Sequence, residues 1–153
     1  MTTTTPHRID FHALVPNVWQ AMLGLERASR EGLDHSLLEL VKIRASQLNR
    51  CAFCLDMHTK DARKAGESEE RIFLLSAWEE ADGYYTEKER AALALTEAVT
   101  VLTDGFVPDE VYERAAQHFP DEELARLLAA IVTINAWNRI AVTTRKQPGT
   151  YQP

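Results

Sequence analysis

At 153 residues, with 45% hydrophobic and 26% charged side chains, the chain has the size and balance of one globular core, too apolar for disorder and too polar for a membrane bundle. Seventeen Lys and Arg against 23 Asp and Glu leave a formal net charge of −6, which offers phosphates no broad positive field and disfavours a nucleic-acid partner. The longest nearly apolar run, Leu127 to Ile134, falls well short of the ~20 residues that cross a bilayer, and the opening MTTTTPHRIDFHALVPN lacks the apolar stretch of a signal peptide, so a cytoplasmic protein with no membrane partner is expected.

From the N-terminus, residues 1–16 read as a tail, with Thr2–Thr5 a frayed end, and residues 17–153 as a single domain. Alternating apolar and polar runs are absent, while the 3.6-residue period recurs from Asn17 onward. The expected fold class is therefore all-α, a compact domain of about six to seven helices. The helical stretches are 17–31, 36–48, 50–65, 69–80, 87–102, 109–118 and 121–145. Gly32 and Gly66 stand where left-handed residues close the first and third of these, and Pro108 and Pro120 stand at or just before the starts of the last two. Ser36 with Glu39, and Thr86 with Glu89, have the S/T-x-x-E spacing of a capping box. In the last stretch Leu124, Leu127, Leu128, Ile131, Asn135, Asn138 and Val142 recur at spacings of three and four, which places two amides in an apolar stripe. Buried amides need partners, so Asn135 and Asn138 are expected to bond neighbouring helix ends or to lie at a subunit contact or site wall.

The chain has two cysteines, Cys51 and Cys54. So close a pair is not the disulfide framework of a small secreted protein; in a reducing compartment it is half of a metal site or a dithiol that cycles. With Asn49 as N-cap, both thiols sit in the first turns of a helix and His58 follows one turn later. At ~100° per residue Cys51, Cys54 and His58 fall within about 60° of one another, on one stripe. The helix N-terminus stabilises a thiolate there, and the imidazole can accept or return its proton. The dipole favours Cys51 as the more acidic thiol and the imidazole favours Cys54, and spacing alone leaves that choice open.

Other readings stand beside this one. Zinc could be held by Cys51, Cys54, His58 and Glu39, although the second Cys/His pair usual in a structural site is absent from the sequence. The two thiols could also be buried and inert. Glu39, for its part, occupies the N3 position of the Ser36 box, on a largely polar stripe with Lys42 and Ser46.

The segment from Leu37 to Thr59, LLELVKIRASQLNRCAFCLDMHT, resembles the AhpD-like alkylhydroperoxidases of the carboxymuconolactone decarboxylase superfamily. Their redox branch is marked by Glu-x11-Cys-x2-Cys-x3-His, and Glu39, Cys51, Cys54 and His58 fit every spacing. The likeness continues through Phe73–Thr100 and Ile134–Val142. It implies an all-α fold assembling into homotrimers or homohexamers, and a thiol-dependent peroxidase that needs neither metal nor cofactor. In the mechanism it implies, Cys54 attacks the hydroperoxide, activated through His58 with Glu39 as the remote base, and Cys51 resolves the resulting sulfenic acid. A dithiol reductant, a lipoyl group or a thioredoxin-like protein, then reopens the bridge. The best-known peroxidases of the family carry a second His immediately before the second Cys, where this chain has Phe53. That departure removes a proton carrier, and it implies slower turnover or a different substrate. The decarboxylase branch is not implied. The alternative function is a non-enzymatic one, a redox-sensing or structural helical oligomer with a dithiol, which would react once where an enzyme turns over.

Overall fold

Eight α-helices and one 3-10 turn make up the structure, a computed structural model that describes residues 8–153. They are α1 (Phe11–Leu14), α2 (Pro16–Ser29), α3 (His35–Leu48), α4 (Ala52–Lys64), α5 (Glu69–Leu74) running into the 3-10 turn Leu75–Ala77, α6 (Glu87–Thr100), α7 (Asp109–His118) and α8 (Asp121–Thr144). Among the described residues there is no strand, and the all-α expectation holds. The Thr2–Thr5 run lies outside the described residues. Within the stretch expected to be a tail, Asp10 caps α1 by accepting from the Ala13 N–H at 3.0 Å, and Pro16 opens α2 at its first position, where a missing N–H costs nothing.

Helix α3 is the axis of the molecule. Its side chains from Leu37 to Ile43 are all buried, because α4, α6 and α8 each pack along it. One apolar cluster joins its Leu37 and Val41 to Leu95, Phe119, Leu127 and Ile131; another joins Leu40 and Ile43 to Leu75, Trp78 and Leu93. A helix covered on all sides also carries its polar stripe indoors, and Glu39, Lys42 and Ser46 are each at most 1% exposed. Burying such groups is costly unless each finds a partner. Lys42 pairs with Glu26 of α2, and the Ser46 hydroxyl donates to the Lys42 carbonyl at 2.7 Å while accepting from Asn138 at 3.0 Å.

Helix ends follow the sequence signals with three corrections. The Thr86–Glu89 box forms, Gly32 and Gly66 are left-handed, and Pro108 and Pro120 are the N-caps of α7 and α8. The Ser36–Glu39 box does not form. Asp34 caps α3 instead, accepting from the Leu37 N–H at 3.0 Å, which frees Ser36 to donate to Glu67 at 2.8 Å. Asp34 starts the helix two residues earlier, so the Glu39 N–H that the Ser hydroxyl was expected to take lies inside α3. Nor does Asn49 cap α4. It closes α3, and its amide donates to the Oδ1 atoms of Asn135 and Asn138, each at 2.9 Å. Lastly, the stretch expected at 69–80 stops early. The guanidinium of Arg90 takes the Trp78 and Glu79 carbonyls at 3.0 and 2.9 Å, supplying the partners a continuing helix would have supplied.

By length and composition α8 could cross a membrane, with a mean hydropathy of 1.2 over its most apolar window, yet half of that window is buried within the fold. Its apolarity is accounted for by packing on α2, α3, α4 and α6. Its two mid-stripe amides meet neighbouring helix ends, as one of the two expectations had it: Asn135 donates to Thr100 at the end of α6 at 2.9 Å, and both accept from Asn49 at the end of α3.

Candidate active site

After α3 the chain turns through Arg50, whose φ of 54° is left-handed, and then enters α4 with Cys51 as the N-cap. Cys51 Sγ accepts from the Cys54 N–H at 3.3 Å, so the first thiol stands at the helix entrance and the second three residues in. The pair is joined as a disulfide, with Cα atoms 5.3 Å apart. With the two sulfurs bonded to each other, neither is available as a thiolate metal ligand in this state. Both cysteines are nearly sealed, at 1% and 2% exposure, but they face different surroundings. Cys54 lines a cavity of about 430 Å³, whereas Cys51 lies outside its lining, although both pack in one cluster with Ala141 of α8.

His58, one turn beyond Cys54, lines the same cavity. Its Nδ1 lies 3.0 Å from Glu39 Oε2, across from α4 to α3. The two are 5% and 1% exposed, so the contact is made out of water, where ionic hydrogen bonds are strong. Burial pushes the Glu39 carboxyl up, but the His58 hydrogen bond, aided by electrostatic attraction to His58, Lys42 and His35, outweighs it and holds the carboxyl below its ordinary value. Glu39 Oε1 is buried without a hydrogen-bond partner among the described residues, which leaves the carboxylate an open acceptor. An imidazole held at Nδ1 by a carboxylate presents its other nitrogen in a fixed orientation. In this chain the carboxylate is indoors and the imidazole is at the cavity wall, an arrangement suited to carrying a proton between them.

A carboxyl held below its ordinary value stabilises the fold fully above about pH 4.3, and that contribution is lost as pH falls through its lowered value. Glu39→Gln is therefore expected to cost on the order of 1–2 kcal/mol at neutral pH. The difference between the variant and the parent should shrink as pH drops below about 4. Denaturation curves across that range check this, and a pH-independent difference would show that the Glu39 carboxyl is not held below its ordinary value.

The structure thus brings Glu39, Cys51, Cys54 and His58 into one locality. Asp61 joins them, with donor atoms of Glu39, His58 and Asp61 lying within 4.8 Å of one another, a set with the composition of a possible cation site. Asp61 Oδ1 accepts from the Tyr151 hydroxyl at 2.7 Å, and this bond, with burial, pushes the phenol up to about 12. Residues 13–98 match the carboxymuconolactone decarboxylase family. The chain belongs to that family. The uncharacterised protein YdfG of Bacillus subtilis is 43% identical over 136 residues, 88% of this chain and 92% of that protein. A protein of unknown function from Agrobacterium tumefaciens, named as a candidate antioxidant-defence protein AhpD, superposes with a TM-score of 0.91 at 42% identity, over 95% of this chain and all of that one. The debrominase Bmp8 shares the fold at a TM-score of 0.80 and 19% identity, over 90% of this chain and 74% of that one. The AhpD-like assignment therefore stands.

Several wall residues carry no signal in the sequence. Asp10 and Phe11 come from the stretch expected to be a tail, and Trp19, Trp137, Lys146 and Tyr151 come from three other places in the chain. The last of these is pinned from both sides: the Gly149 N–H donates to Asp56 at 2.9 Å, and Lys60 donates to the Tyr151 carbonyl at 3.1 Å. No local spacing relates these residues to the cysteines, since they meet them only through the packing of α2, α4 and α8.

Proposed function

We propose that this protein is a thiol-dependent peroxidase that reduces hydroperoxides through a Cys51–Cys54 dithiol/disulfide cycle. The observation that carries the reading is the placement of Cys54 and His58 together on the wall of one cavity, with His58 held from behind by the buried Glu39. In the reduced protein, His58 takes the Cys54 proton and shares its charge with Glu39. The Cys54 thiolate attacks the outer oxygen of the hydroperoxide, breaking the O–O bond; the alcohol leaves with that proton, and Cys54 becomes a sulfenic acid. Cys51, at the helix entrance, then attacks the Cys54 sulfur and releases water, giving the disulfide present in the structure. An external dithiol reduces it by exchange and is itself oxidised. We place this cycle in the cytoplasm, where a dithiol pool keeps thiols reduced, with a lipoyl group or a thioredoxin-like protein as the reductant.

The same reading includes a homotrimer or homohexamer. Support comes from apolar side chains left on the surface, among them Val18 and Leu25 of α2 and Leu128 and Val132 of α8, each at least 40% exposed. Against the alternative of a one-shot sensor, the deciding experiment is turnover. With cumene hydroperoxide and excess dihydrolipoamide, each chain is expected to consume many equivalents of peroxide. Consumption of a single equivalent, followed by arrest with the reductant still present, would make the protein a sensor.

A further inference from the structure

The cavity beside Cys54 has a wall of unequal character. Phe11, Trp19, Leu23, Trp137 and Ile140 give it an apolar body, which is the kind of surface that holds a hydrocarbon or a ring. Its acidic members are occupied: Glu26 by Lys42 and the Trp137 indole N–H, Asp61 by Tyr151, and Asp10 by the cap of α1. Lys146 is not. Among the described residues no carboxylate lies within ion-pairing distance of its ammonium, which rests instead on two aromatic faces, 4.1 Å from the centroid of Phe53 and 5.4 Å from that of Trp19.

The backbone fixes where the Lys146 side chain begins. Arg145 is left-handed, and the Lys146 N–H bonds back to the Ala141 carbonyl at 3.0 Å, the six-to-one bond that closes α8. Its side chain is half-buried, and burial lowers its proton affinity, with Asp10 acting in the opposite sense. A half-buried ammonium held by π-faces has given up part of its hydration without gaining an anion, so an arriving carboxylate meets a donor that is poorly solvated beforehand.

We infer that the cavity selects an apolar or aromatic molecule bearing one carboxylate, with the body against Trp19, Trp137 and Ile140 and the carboxylate on Lys146. This deepens the peroxidase reading and rests on it for the chemistry: the substrate class is an acidic organic hydroperoxide, in which the anion anchors one end and leaves the O–O bond to Cys54. Phe53, which stands where the best-known peroxidases of the resembled family have a histidine, then serves as the platform for the Lys146 ammonium.

Binding to the disulfide form, which needs no turnover, tests the inference apart from the peroxidase reading. Titration calorimetry with para-isopropylbenzoate and the neutral para-isopropylbenzamide compares one body with and without the charge. The acid is expected to bind about tenfold more tightly, with the ratio near one in Lys146→Met and kept in Lys146→Arg. Equal affinity for acid and amide in the parent protein would overturn the inference. So would an undiminished ratio in Lys146→Met. A protein that passes this test and consumes no peroxide keeps its acid-binding cavity and loses the peroxidase reading.

Discussion

Replacing Cys54 with serine should remove peroxide consumption, by about a thousandfold or more, and should leave no sulfenic acid to trap. Cys51→Ser should instead react once with peroxide and stop, carrying a stable sulfenic acid at Cys54. The asymmetry comes from position. Cys54 and His58 share the cavity wall, so peroxide and base meet the same sulfur, whereas Cys51 lies outside the lining. The helix entrance is the better place for a stabilised thiolate, and Cys51 occupies it as the N-cap. But a low pKa also lowers nucleophilicity, and a positioned base deprotonates its partner as attack proceeds. A dimedone-type probe followed by mass analysis reads the outcome for each variant. Labelling at Cys51 in Cys54→Ser, with none at Cys54 in Cys51→Ser, would reverse the assignment.

The same residues show how far the sequence could be followed. Helix existence was legible because the 3.6-residue period and the Gly and Pro stops agree from α2 to α8, and local signals of this kind survive into the fold. Competition between signals was less legible. Asp34 and Ser36 both offer an oxygen to the start of α3, and Asn49 and Cys51 both stand before α4; in each case the tertiary partner decided, Glu67 drawing Ser36 away and the Asn135–Asn138 pair drawing Asn49 away. Glu39 follows the same logic. On the sequence it has the spacing of a helix cap, but the cap is Asp34, and Glu39 lies a turn further in, facing His58. The spacing Glu-x11-Cys-x2-Cys-x3-His carried that information where helical periodicity did not. Nothing in the spacing carried Lys146, Tyr151 or α1 to the cavity, because they reach it only when α1 packs on α2 and the C-terminal segment folds back onto α4.

The polar stripe of α3 leads to the largest expected effect on stability. Glu26→Gln should destabilise the fold by about 3–5 kcal/mol, and more than Lys42→Met does. Removing either partner breaks the pair, but the group left behind differs. The Lys42 side chain is 1% exposed and that of Glu26 is 18% exposed, so an abandoned carboxylate at Glu26 recovers some water while an abandoned ammonium at Lys42 recovers almost none. Glutamine at 26 still offers a carbonyl to the Trp137 indole N–H, which Glu26 accepts from at 3.2 Å, so the loss in that variant isolates the charge. The double variant Glu26→Gln with Lys42→Met removes both charges and should recover most of the loss, to within about 1 kcal/mol of the parent, since replacing a whole buried pair is often neutral. Against a total stability of about 5–15 kcal/mol, the single change should be visible as a large shift in the urea midpoint. A cost below about 1 kcal/mol for Glu26→Gln would mean that Lys42 finds its counter-charge elsewhere, and Glu39, whose charge Lys42 already feels along α3, is the group to test next by combining Glu26→Gln with Glu39→Gln.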